Sequence, residues 1–138
     1  MSTRQESEAN ARFSQRYGED RGDAIREIER AVIGGDWGAN GYTTIAQADE
    51  LAALLELGAG SMVLDVGAGR GWPGLYLAAV TGCSVVLTDV PIEGLAVARH
   101  RSLQEGVEER TWPVAASARD FPFPARTFDA VVHTDVLC

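Results

Sequence analysis

Lysine is absent from this 138-residue chain, and all 12 basic residues are arginine. That absence removes Schiff-base chemistry through an ε-amine and the phosphate-gripping lysine of a P-loop. Cysteine is scarce: Cys83 and Cys138 stand alone, too few for a disulfide framework or a zinc site, so reduced thiols, a cytoplasmic setting and no bound metal are expected. Long apolar runs are missing, since none reaches the ~18 residues a membrane helix needs. The first twenty residues are polar and charged, without the apolar core of a signal peptide. Positive charge is also in deficit. Twenty acidic residues against 12 basic ones leave a formal charge of −8, a surface that repels nucleic-acid phosphates and anionic lipid. The expectation is a soluble protein with neither a nucleic acid nor a membrane as partner.

The chain does contain an alternating pattern of apolar segments. Residues 1–9 are polar and expected to fray. Residues 11–34 carry spaced apolar positions that predict one or two helices broken near Gly18 and Gly22. Residues 34–41 form a loop, and Thr44 caps a helix over 45–57. A strand follows at 62–66, a helix at 72–80, a strand at 84–88 and a helix at 92–104. A weak strand at 111–115 and a strong one at 128–132 complete the series. Strands alternating with helices at this spacing predict right-handed βαβ units: an α/β fold with a parallel sheet covered by helices on both faces. Residues 1–60 read as a helical cap and 61–138 as the core.

The chemistry concentrates in Val63-Leu-Asp-Val-Gly-Ala-Gly-Arg-Gly71, an apolar strand running into glycines at 67, 69 and 71. Such a loop, opening a helix, is a nucleotide-cofactor signature. Asp89 ends the next strand 22 residues after Gly67, where a carboxylate can accept both hydroxyls of a ribose or, alternatively, cap the helix entered through Pro91. A dinucleotide fingerprint needs its third glycine at 72, which is Trp. A frame from Gly69 through Gly71 and Gly74 does satisfy GxGxxG, but lies two residues too far from the strand. Asp65 is the second discriminator, because a carboxylate there opposes a pyrophosphate and suits a cationic ligand, or else bonds to the loop's own N–H groups.

Taken together, VLDVGAGRG, LYLA, VVLTDV and FPFPARTFDAVVHTDVLC resemble, in order and spacing over 62–138, a class I S-adenosylmethionine-dependent methyltransferase of the small-molecule kind. The resemblance implies a Rossmann-like sheet of order 3-2-1-4 and S-adenosyl-L-methionine as cofactor, converted to S-adenosyl-L-homocysteine. It implies that Gly67, Ala68 and Gly69 pack on the methionyl part, that Asp65 anchors its amino end, and that Asp89 holds the ribose. Val90 would lie on the adenine, with Ser117 and Ala118 at its edge and the His133 carbonyl near the amino group. Ser117 departs from the family's Asp at that position, which weakens adenine recognition.

No catalytic residue is assigned, because methyl transfer needs alignment more than acid–base chemistry. His133 as a general base is the sharper and less favoured reading. Trp37 and Tyr42 either close over the cofactor, line an acceptor pocket or pack. Phe121, Phe123 and Phe128 read as packing, and Arg70 as a solvated loop residue. The family continues for roughly another hundred residues beyond the fourth strand, by that resemblance, so the chain is expected to be the N-terminal part of an enzyme. The strand at 128–132 is then an apolar edge that would pair with a second copy. Two other readings stay open: a nicotinamide-dependent oxidoreductase, and a cofactor-binding or interaction fragment without turnover.

Overall fold

The structure is a computed structural model, and it describes residues 3–136. Three helices come first: α1 (Arg4–Gly18), α2 (Asp23–Ile33) and α3 (Ile45–Leu54). The expected fraying of residues 1–9 fails within the described part. Thr3 Oγ1 accepts from the Glu6 N–H at 3.2 Å while the Glu6 carboxylate accepts from the Thr3 N–H at 2.6 Å, a capping box that starts α1 at Arg4. Thr44 and Gln47 make the same reciprocal pair for α3.

The alternating part then runs β1 (Met62–Val66), α4 (Gly74–Thr81), β2 (Ser84–Asp89), α5 (Ile92–Gln104), β3 (Thr111–Ala115) and β4 (Ala130–Val132). The four strands form one parallel sheet of order β3-β2-β1-β4, as expected. Three further boundaries move by two residues or more, the first being the end of α3, at Leu54 instead of 57. α4 begins at Gly74 instead of Trp72, because residues 67–71 turn through three glycines with positive φ before the helix can start. β4 is three residues long, with Phe128 left outside it in a ring cluster with Phe123 and, through it, Phe121.

The sheet's two faces are treated differently. Val63, Val85, Leu87 and Val132 join Leu75, Leu77 and Ala78 of α4, Leu95 and Ala98 of α5 and Ala48 of α3 in a single core. The crossover helices α4 and α5 pack on that one face and α3 packs on α4, instead of helices covering both. The reason is topological: β1→β2→β3 steps twice in the same direction, and right-handed crossovers then put both helices on the same side. On the other face the register aligns Val131, Leu64, Val86 and Trp112 in a row, with the outer two 56% and 43% exposed. Cys83 is buried and free, and Cys138 lies outside the described residues. Among the described residues no helix is long and apolar enough to cross a membrane, and no group of His, Cys, Asp and Glu is placed to hold a metal.

Candidate cofactor site

The loop after β1 lies at the carboxyl ends of the parallel strands, where ligands of open α/β sheets bind. Its amides are already engaged. The N–H groups of Gly67 and Ala68 both donate to the Thr88 carbonyl, at 2.8 and 3.0 Å, and that of Gly71 donates to Ala68 O at 2.7 Å. The Gly69 N–H donates to Asp89 Oδ2 at 2.8 Å. The loop therefore offers bare α-carbon surface, and these four amides are not a cradle of donors for phosphate.

Asp65 strengthens that conclusion. It is 1% exposed, and its Oδ2 accepts from the Gly74 N–H at 2.9 Å, so a carboxylate occupies the N-terminus of α4 where a pyrophosphate would have to lie. A Cβ on Gly74 would stand 2.6 Å from Asp65 Oδ2, so only glycine lets the helix end come this close. The other oxygen, Oδ1, is buried without a hydrogen-bond partner. Burial, opposed by the Gly74 bond and reinforced by nearby Asp89, raises the Asp65 pKa well above the ordinary carboxylate value. Of the two readings of Asp65, the bond to a backbone N–H is present, and the unpartnered oxygen leaves the cationic-ligand reading open beside it.

Asp89 ends β2 and is half-buried. Its Oδ1 accepts from the Val90 N–H at 2.8 Å, and no side chain caps α5, which rules out the helix-cap alternative. Burial raises its pKa, against the two backbone bonds that lower it. Val90 beside it is 49% exposed. The Ala116 N–H donates to Asp89 O at 3.0 Å, which brings the following turn alongside, with Ser117 Oγ accepting from the Arg119 N–H. Asp65, Gly67–Gly69, Asp89, Val90, Ser117 and Ala118 thus lie at or just beyond the carboxyl ends of β1, β2 and β3.

His133 lies apart from this row. It is exposed and lines an open cavity of about 510 Å³ with Thr134, Asp135 and the α3 residues Gln47, Glu50, Leu51 and Leu54. Neither this cavity nor a second one of about 340 Å³ is lined by Asp89 or residues 67–69, although the second reaches the loop at Arg70.

Two residues differ from their sequence reading or were missed by it, and two more are narrowed by the structure. Arg70 is 4% exposed instead of solvated. Tyr17, not singled out from sequence, has its ring against Gly69, where a Cβ would meet Tyr17 Cζ at 3.2 Å. Trp37 packs edge-on against Tyr76 at 5.3 Å and near Trp72, while Tyr42 is 81% exposed on the second cavity.

A family model described as a methyltransferase domain matches residues 63–138, more than half of the chain. The chain belongs to this methyltransferase family. Its similarity to curated proteins includes methyltransferase GfsG of Streptomyces halstedii, 39% identical over 83 residues, which is 60% of this chain and 30% of that protein. It also includes the 27-O-demethylrifamycin SV methyltransferase of Amycolatopsis mediterranei, 35% identical over 85 residues, again 60% and 30%. The matched part of the chain thus spans less than a third of the length of these relatives. Among solved structures, an S-adenosylmethionine-dependent methyltransferase from Thiobacillus denitrificans in complex with S-adenosyl-L-homocysteine aligns with a TM-score of 0.63 at 21% identity. That alignment covers 85% of this chain and 45% of the other. This shared fold is the class I, Rossmann-like one that the order β3-β2-β1-β4 displays.

Proposed function

We propose that the protein transfers a methyl group from S-adenosyl-L-methionine to a small-molecule acceptor and releases S-adenosyl-L-homocysteine. The observation that carries this reading is the pairing of two carboxylates, Asp65 and Asp89, with a glycine loop whose amides are internally bonded. Such a site suits a ligand with free hydroxyls and a positive charge, which favours ionisation of Asp65, and leaves a pyrophosphate none of these amides to bind. When bound, the cofactor supplies a methyl group on a sulfonium that departs as a neutral thioether.

The residues present fit that ligand. Asp89 retains acceptor capacity for a ribose diol beyond its two backbone bonds. The half-exposed Val90 offers an apolar face for adenine, and Ser117 with Ala118 offers polar atoms for the ring edge. The unpartnered Oδ1 of Asp65 supports a role toward the amino end. Gly67, Ala68 and Gly69 would contribute backbone surface, and His133 a carbonyl.

For the acceptor, the 340 Å³ cavity is the candidate, with Ile25, Ile28 and Val32 of α2 as an apolar wall beside Tyr42. Its volume is within the range that holds small ligands, about 300–1,000 Å³. A relative named for rifamycin supports a small-molecule acceptor.

The same proposal takes 1–60 as the helical cap and 61–138 as the core, and places the protein in the cytoplasm, which the free Cys83 thiol supports. It includes pairing of two copies along the β4 edge, supported by the exposure of Val131. Monomeric sedimentation would remove that last element. Calorimetric titration with S-adenosyl-L-homocysteine and with NAD tests the main reading. Heat from the first and none from the second is expected, and the reverse overturns it.

A further inference from the structure

Arg70 lies between two loop glycines yet points away from the sheet, into the end of α1. Its Nε donates to Tyr17 O at 3.2 Å, its Nη2 to Arg16 O and its Nη1 to Asn40 Oδ1 at 3.0 Å. Its guanidinium carbon is 5.6 Å from the centre of the Tyr17 ring, within cation–π range. Arg16 and Tyr17 belong to the last turn of α1, whose carbonyls have no partner within the helix and carry the negative end of its dipole. Burial lowers the arginine's pKa to about 10, which leaves it charged at neutral pH and its three bonds charge-assisted.

The Tyr17 side chain held there closes on two glycines. A Cβ on Gly94 would stand 2.9 Å from Tyr17 Cδ2 and 2.8 Å from Gly69 O, so α5, Tyr17 and the loop meet with no room for a methyl group. The residue in the middle, Gly69, is the one whose N–H holds Asp89. One short stretch of chain is therefore fixed to the ribose candidate by its backbone and to the helical cap by the next side chain.

We propose that Arg70 is a positioning residue that couples docking of α1 to the geometry of the loop that holds Asp89. The cofactor consequence rests on the functional reading above: ligand binding at the loop and docking of the cap are linked, each strengthening the other. A lysine cannot substitute fully, because its compact charge does not match three acceptors arranged around a planar fork.

The test is amide hydrogen exchange on the ligand-free chain for wild type, R70A and R70K, with calorimetry against S-adenosyl-L-homocysteine. Expected for R70A is faster exchange in residues 14–18 and in 67–69 together, with β1 and β2 still protected, and about tenfold weaker ligand binding. R70K should recover only part of both. Loosening of α1 with unchanged exchange at 67–69, or no change at either, overturns the coupling. Should R70A lose sheet protection as well, N40A, which removes one of the three bonds, carries the same comparison with smaller effects. A wild-type chain that ignores the ligand would refute the cofactor reading, while the exchange result would still decide the coupling.

Discussion

Replacing Asp89 with Ala removes two bonds of 2.8 Å, one to the Gly69 N–H and one to the Val90 N–H. Gly69 is buried, so its donor loses its partner where water cannot readily replace it, at a cost of about 1–3 kcal/mol. Val90 is half-exposed, and its N–H can turn to solvent at little cost. Against this stands the desolvation of the Asp89 carboxylate, which the raised pKa records and which the substitution relieves. The net loss of folding stability should fall at the lower end, about 1–2 kcal/mol. Hydrogen bonds from a ribose to a charged acceptor are worth about 1.5–3 kcal/mol, so the dissociation constant for S-adenosyl-L-homocysteine should rise roughly 10- to 150-fold. Urea unfolding measures the first effect and calorimetric titration of the folded variant the second. Asp89→Asn, which keeps one acceptor oxygen, should lie between. A variant that loses stability but binds as wild type would mean that Asp89 only pins the loop, and the ribose assignment would be wrong.

Asp65→Asn should stabilise the ligand-free protein increasingly as pH rises. The folded pKa of Asp65 is raised, so wild type holds an extra proton when folded. Its stability falls as pH climbs from the unfolded value of 3.8 through the folded one. Asparagine has no such slope, and parallel stability profiles from pH 4 to 8 would refute the buried-carboxylate argument. Gly74→Ala should be severely destabilising, since its Cβ would lie 2.5 Å from Leu87 Cδ2 and 2.6 Å from Asp65 Oδ2. Gly58→Ala, with nothing within 4 Å, should leave the midpoint of urea unfolding almost unchanged.

The sheet was legible because its signals are local. Val63–Val66 and Val85–Thr88 are short, largely apolar runs bounded by glycine or a helix pattern, while the order 3-2-1-4 came from the family resemblance and not from any local signal. Asp65 and Asp89 could be singled out for the same reason, each ending or nearly ending a strand beside the loop. Arg70 and Tyr17 could not, because their bond spans 53 residues and no spacing rule links a loop arginine to the carbonyls of a distant helix. The start of α1 was readable in principle: Thr3 and Glu6 are a capping box, masked by the polarity of the residues around them. The one-sided core was also within reach, since two crossovers in the same direction exclude helices on opposite faces.

The internal bonding of the loop amides bears on selectivity in the cell. Adenosine triphosphate and the nicotinamide dinucleotides carry the same adenosine that Asp89, Val90 and the Ser117 turn would meet in the proposed site. A site built on donors would have to tell them apart by shape. Here Gly67, Ala68, Gly69 and Gly71 have no N–H left to give, and the Asp65 carboxyl fills the N-terminus of α4 where a phosphate would have to sit. On the proposed reading, discrimination between abundant adenosine compounds would then rest on the loop having no free donors to offer a phosphate.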